Sequence, residues 1–304
     1  MKAIITTKPG PPDVLHLKEI EKPEPKRNEV LIKIHATTVT AGDVILRSLP
    51  GLVWIPMQLF FGLKRKRVLG HEFAGEIEAI GSGVDQFREG DKVFGTTTEL
   101  SIGSYAEYLS MPESAVLATK PVNVTYEEAA AIPIGGLAAL HFLNEAGIQG
   151  EQRVLVYGAS GSVGSYAVQL AKYFGAQVTG VSSTRNLELV QSLGADRVLD
   201  YTKEDFVERG ELYDVIFDAV GKIAPSHSSK ALTPSGRSVT VRRGRAVERK
   251  EDLAFLKELV EEGALKAVID RRYPLQQVAE AHRYVEQGHK QGNVVITVAP
   301  DGRF

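Results

Sequence analysis

At 304 residues the chain exceeds the size at which a single hydrophobic core stops growing, so two domains are expected. Its composition is that of an ordinary globular protein, 43% hydrophobic and 24% charged with a net charge of -2, and gives neither nucleic acid nor an anionic membrane a reason to bind. There is no cysteine, which excludes disulfides, thiolate metal sites and a cysteine nucleophile together.

The opening MKAIITTKPG lacks the apolar run of a secretory signal, and no stretch reaches the roughly 18 to 20 apolar residues that span a bilayer. A cytoplasmic location is the default expectation. From residue 1 to about residue 120 short alternating runs (KAIITT, VLHLKEI, EVLIKIHATTV, FAGEIEAIG, DKVFGT, YAEYLSM) are punctuated by Gly, Pro and Asp, and predict an irregular all-β unit. Within it the apolar segment 52–62, LVWIPMQLFFG, precedes Lys64-Arg65-Lys66-Arg67. A lid over an apolar pocket, a membrane-surface anchor, or core packing beside a solvated charge run would each fit it.

After Pro121 the rhythm changes. Glu127 to Gly147 has apolar residues at helical spacing, behind the capping-box-like Thr125-Tyr126-Glu127-Glu128. Strands then alternate with helices: RVLVY, SVGSYAVQLAKYFG, QVTGVSS, RNLELVQSLG, RVLDY, DVIFDAV, RSVTV and EDLAFLKELVEEG. Such alternation predicts βαβ units in a parallel sheet. From Ala267 a strand (AVIDRRY), a helix (LQQVAEAHRYVEQG) and a last strand (NVVITV) follow.

Residues 153–164, RVLVYGASGSVG, run from an apolar strand through a Gly-rich turn into a helix of small residues. A pyrophosphate needs this arrangement, because unobstructed N–H groups and a helix N-terminus supply donors and partial positive charge. The candidate cofactor-binding residues here are Gly158, Ala159, Ser160, Gly161, Ser162, Val163 and Gly164, with Ala159 where the motif's first Gly belongs. About 20 residues on, where an acid would bind the adenosine ribose, stand Ser182, Ser183, Thr184 and Arg185. Hydroxyls with a guanidinium suit a 2′-phosphate, so NADP(H) is expected; the alternative for Arg185 is the solvated first residue of a helix.

Leu69-Gly70-His71-Glu72-Phe73-Ala74-Gly75, the run 81–95 (GSGVDQFREGDKVFG), Gly103-Ser104-Tyr105-Ala106-Glu107-Tyr108 and 129–140 (AAAIPIGGLAAL) before VLVYGASGSVG are laid out as in the medium-chain dehydrogenases/reductases. The chain resembles that superfamily over nearly its full length, and its quinone oxidoreductase branch most. The resemblance implies an α/β protein: a GroES-like β-rich catalytic domain (1–121 and 268–304) and a Rossmann domain with a doubly wound parallel sheet (122–267), with a cofactor cleft between them. It also implies a polar active-site residue at Thr40, followed by Asp43 and Arg47. Ile45 falls on a Tyr and Ala138 on a Thr of some quinone reductases, two departures. Tyr201 matches a Tyr near the adenosine phosphate, or is a sheet-end aromatic. Val220 and Asn293 complete the cofactor-binding set.

The zinc alcohol dehydrogenases of the superfamily place a Cys, a Gly-His-Glu segment and another Cys around the metal. Here Thr40 holds the first Cys position, and His71 with Glu72 cannot supply the ligands, so no metal is expected and His71 reads as a pocket or structural residue. The candidate catalytic set is Thr40, Asp43 and His71; Asp43 and Arg47 could instead form a structural ion pair on a helix. Zinc-independent hydride transfer from NADPH to a small-molecule electrophile, a quinone or an α,β-unsaturated carbonyl, is the implied reaction. A zinc-free alcohol dehydrogenase or enoyl reductase, or a non-catalytic NADPH-binding protein, are the alternatives. Only 242–250, RRGRAVERK, joins the strand ending near Val241 to the next helix, where the family usually carries a further strand that pairs across a homodimer.

Overall fold

The computed structural model describes residues 1–50, 68–100 and 102–299. The segment 52–62 and Lys64–Arg67 lie outside the described residues, and with them every reading made of that stretch. The chain divides into two units, 1–133 with 269–304, and 134–268.

In the first unit the alternating runs form β1 (Lys2–Ile5), β2 (His16–Glu19), β3 (Glu29–Thr38), β4 (Glu72–Ile80), β5 (Lys92–Thr96), β6 (Tyr108–Pro112) and β7 (Leu117–Thr119), joined by β13 (Ile269–Pro274) and β14 (Asn293–Thr297). β1 and β2 make a hairpin; the rest form a sheet in the order β13-β14-β3-β4-β5-β7, with β6 paired to β3. Alternation along β3 buries Val30, Ile32 and Ile34 against Phe73, Ile77, Val93, Leu109 and Met111, as a half-buried antiparallel strand should. Thr38 at the end of β3 pairs with Val295 of β14, so the C-terminal segment builds the wall beside residues 38–43.

The expectation of an all-β unit misses a helix, α1 (Ala41–Ser48). Its start is written in a capping box: the Thr40 hydroxyl accepts from Asp43 N, and the Asp43 carboxylate accepts from Thr40 N. The single helix expected over 127–147 is two, α2 (Tyr126–Ala130) and α3 (Pro133–Ala146). Pro133 cannot donate within a continuous helix but suits a first helical position, so the break falls just before it. The segment 122–133 groups with the first unit. There Tyr126 stacks on His35 at 4.1 Å, and Glu127 accepts from the Thr297 hydroxyl at 2.6 Å and pairs with Arg272.

In the second unit β8 (Arg153–Tyr157), β9 (Gln177–Ser182), β10 (Arg197–Asp200), β11 (Tyr213–Asp218) and β12 (Leu232–Thr240) form an all-parallel sheet ordered β10-β9-β8-β11-β12. The helices α4 (Ser162–Tyr173), α5 (Leu187–Ser192), α6 (Pro225–Ser228) and α7 (Lys250–Glu261) connect and follow the strands; α8 (Val278–Glu286) belongs to the first unit. The strand order reverses between β8 and β11, and in such sheets a ligand sits outside the carboxyl ends of the strands at that point. The sheet has five strands among the described residues, and residues 241–249 pass from β12 to α7 without a sixth.

Candidate active site

The Gly-rich turn leaves β8 at Tyr157. Gly158 has φ +78°, a conformation that favours glycine, and the N–H groups of Gly158 and Ala159 both donate to Val181 O at 3.0 Å. A β-carbon on Gly158 would stand 2.2 Å from Val220 Cγ2; one on Gly164 would stand 2.1 Å from Gly158 O. Backbone is thus packed on backbone where the helix leaves the turn. Ala159, the departure from the Gly motif, is fully buried with its methyl toward Gly180, whose own β-carbon would lie 3.2 Å away. Gly161 is the N-cap of α4 and brings no side chain to its N–H groups. Bare backbone at the switch point, leading into a helix N-terminus with no side chain at its N-cap, fits the pyrophosphate of a dinucleotide.

The residues after β9 separate into two roles. Ser182 is 1% exposed, and its hydroxyl donates to Ser160 Oγ at 2.8 Å, where Asn186 Nδ2 also donates at 2.9 Å. Ser182 and Ser160 therefore clamp the turn to the end of β9, and Ser182 offers no open hydroxyl to a phosphate. Ser183 is half-buried and Arg185 exposed, so these two keep access to a ligand. Tyr201 is 49% exposed, with its ring 6.1 Å from Tyr157. Both line an open cavity of about 610 Å³ together with Lys222, Ile223 and His227. Those last three escape sequence reasoning. The signal for them was the strand end DVIFDAVG: Asp218 accepts from the N–H groups of Val220, Gly221 and Ile223 at 3.1, 2.8 and 2.8 Å and so folds the loop over the sheet. Val220 stands on Gly158 as described, whereas Asn293 is 3% exposed at the start of β14 in the first unit.

Thr40, Asp43 and His71 come together in that first unit. Asp43 is fully buried, with one carboxylate oxygen accepting from Gly70 N at 3.0 Å and meeting His71 Nδ1 at 2.6 Å. The other accepts from Thr40 N at 2.9 Å and from the Thr40 hydroxyl at 2.6 Å. Burial alone would raise this carboxyl, but the His71 ring and the Thr40 hydroxyl overturn it and hold Asp43 below the usual carboxylate range. Arg47 does not pair with Asp43. Its buried guanidinium donates to His282 Nδ1 at 3.2 Å and to Gly10 O at 2.5 Å and pairs with Glu286. His282 Nε2 meets Tyr105 Oη at 3.2 Å. Burial holds the His282 ring down to about 4, and pushes the Tyr105 phenol, beside Asp43, upward. His282 was invisible as a functional residue because it lies on the buried stripe of α8. Ile45 is 62% exposed and Ala138 half-buried within α3, in different units.

A zinc ion does not fit this cluster. The Thr40 hydroxyl is spent in the capping box, the Glu72 carboxylate accepts from the Thr38 hydroxyl, and the chain has no Cys, which leaves His71 Nε2 with no second nitrogen or sulfur ligand beside it among the described residues. Among the described residues no group of three or more His, Asp or Glu is placed to hold a metal ion, and no helix is long and apolar enough to cross a membrane.

Residues 162–270 match the family described as zinc-binding dehydrogenase, and residues 26–121 the alcohol dehydrogenase GroES-like domain. The 2-methylene-furan-3-one reductase of Solanum lycopersicum is 37% identical over 323 residues, covering 99% of this chain and 80% of its own length. The NADPH-dependent alkenal/one oxidoreductase of Arabidopsis thaliana, described as chloroplastic, is 33% identical over 332 residues with the same two coverages. Among solved structures, the quinone oxidoreductase from Coxiella burnetii superposes with a TM-score of 0.88 at 30% identity, over 98% of this chain and 99% of its own.

Proposed function

We propose that this chain, which belongs to the medium-chain dehydrogenase/reductase superfamily and is an oxidoreductase, uses NADPH to reduce a quinone or an α,β-unsaturated carbonyl compound. The observation that carries the reading is the donor set around Thr40. With Thr40 and Glu72 committed to protein partners and no thiolate to join His71, the site suits a reaction that needs no Lewis acid, hydride addition to a carbon that is already electrophilic. When bound, the nicotinamide supplies that hydride. Gly158, Gly161 and Gly164 would hold the pyrophosphate, and the cavity between Tyr201 and Ile223 has room for the adenine.

Preference for NADP(H) over NAD(H) is supported by Arg185 and Ser183 beyond β9, where no acid stands, and by the NADPH-dependent Arabidopsis relative. On the substrate side Thr40, Asp43 and His71 form the catalytic cluster, with Asp43 as its buried anchor. A steady-state panel of a benzoquinone, an alkyl vinyl ketone, a saturated ketone and a primary alcohol tests the reading. Cofactor-dependent turnover is expected on the first two and not on the others; none on either of the first two, at any NADPH concentration, refutes it.

A further inference from the structure

We propose that His71 is the proton donor of the reduction, held for that task by Asp43. The proposal rests on the quinone or enone reading and deepens it. Hydride addition to the β-carbon of an enone, or to a quinone, leaves a negative charge on oxygen, and the rate depends on a group that can deliver a proton there.

The polar groups of the cluster are committed in different ways. The Thr40 hydroxyl gives its proton to Asp43. Glu72 is 1% exposed and its carboxylate accepts from Thr38. Tyr105 and His282 are fully buried and bonded to each other, with Arg47 on the far side of the His282 ring. His71 differs. Its side chain keeps 15% of its surface open, its Nδ1 faces a fully buried carboxylate, and no described residue takes its Nε2.

That geometry sets the tautomer. Asp43 is ionised and accepts from Gly70 N and Thr40 N, so it cannot donate, and the 2.6 Å contact makes Nδ1 the donor. The proton that can leave an imidazolium here is the one on Nε2, and the neutral ring left behind is the tautomer Asp43 already holds. In the step, the new C–H bond forms at the β-carbon with the hydride pair, the C=C pair moves into the bond between the α-carbon and the carbonyl carbon, and the carbonyl pair moves to oxygen. Oxygen takes the Nε2 proton, the enol then tautomerises in water, and His71 regains a proton from solvent. With a quinone, hydride taken at one carbonyl oxygen moves the ring pairs round to the other, and protonation of that oxyanion gives the hydroquinone. Among the described residues the ionisable groups set around His71 are Asp43 on α1 and, behind Asp43, Arg47 on the same helix, His282 on α8 and Tyr105, with the neighbouring Glu72 carboxylate turned onto Thr38 and in the field of Lys290.

His71→Asn keeps an N–H for Asp43 but has nothing in the Nε2 position. We expect kcat on an alkyl vinyl ketone to fall by about 100-fold or more, the range of one general acid, with the dissociation constant for NADPH unchanged. The loss on a benzoquinone is expected to be far smaller, because its oxyanion is a much weaker base. The wild type should show a solvent deuterium isotope effect on kcat with the ketone that is absent with the benzoquinone. Equal losses on both substrates, or no loss, overturn the proposal while leaving the reduction itself standing. If the variant does not fold, the wild type decides: equal rates on the ketone in H2O and D2O are incompatible with proton transfer from His71 in the reduction. Absence of turnover by the wild type on both substrates removes the function and the proposal together.

Discussion

A β-carbon on Gly164 would lie 2.1 Å from Gly158 O and 2.8 Å from Gly158 C, and the obstacle is backbone rather than a side-chain tip that can swing away. Gly164→Ala must therefore part α4 from the turn. We expect NADPH affinity to fall by about tenfold or more and stability by roughly 1–3 kcal/mol, read by cofactor titration and thermal melting. An unchanged dissociation constant would show that the turn does not hold the pyrophosphate. Arg185 carries a different test. Replacing it with Ala should raise the KM for NADPH by about tenfold and leave that for NADH alone, since only the 2′-phosphate loses a charged partner. Equal effects on both would return Arg185 to a solvated helix start. Gly164 could be named from sequence because a missing side chain there has few meanings, whereas Arg185 carries two, a phosphate partner and a solvated helix start. Ser182 could not be read fully: it stands in the ribose-recognising position, but the last residue of β9 turns its side chain to Ser160, and only coordinates show direction.

Between elements, α1 and α8 are joined by a buried polar bridge, Arg47 to His282 and Glu286. With Nδ1 accepting from Arg47, the neutral His282 ring carries its proton on Nε2, toward Tyr105. Burial lowers this His from 6.5 to about 4, so between those values the unfolded chain binds more protons than the folded one. Stability is then fully present above about pH 6.5 and falls as pH drops toward about 4, by roughly 3 kcal/mol at most at about 1.4 kcal/mol per pH unit. Asp43, also lowered, adds its own loss only below the ordinary carboxylate range. Denaturant unfolding from pH 7.5 to 4.5 should show the decline, and His282→Gln should flatten it; a variant with the wild-type slope would assign the decline to other groups. The bridge was hard to foresee because Arg47 lies one turn after Asp43 on the same helix, which suggests an intrahelical ion pair, while its partner is 235 residues away. The helices themselves were more legible. Capping at Thr125 placed the start of α2, and Pro133 in the sequence already marked the break that apolar spacing alone runs across.

For the molecule as a whole, the alternation of strands and helices after Pro121 was enough to predict a parallel sheet, because buried parallel strands need crossover helices and leave that rhythm. What the spacing could not give was which strand ends up at the edge. β10 and β12 are the two edges, and β12 is followed by residues 241–249 where the superfamily usually has one more strand. An open edge invites a second copy, yet this one is blunted in the manner of monomeric sheet proteins. Pro234 has no N–H to offer, Arg237 is exposed on the strand, and Arg242, Arg243 and Arg245 are exposed just beyond it. A two-fold pairing of β12 with itself would bring two such arginine sets together with few acids on the strand to offset them. We therefore expect a monomer of 33.1 kDa by light scattering at micromolar concentration, independent of salt. Twice that mass would reject this, and Arg237→Glu then tells where the contact lies. If β12 makes the dimer, Arg237→Glu mixed with the wild type sets a carboxylate opposite a guanidinium, and the mixed dimer exceeds its statistical half; if another face makes it, the mixture stays statistical.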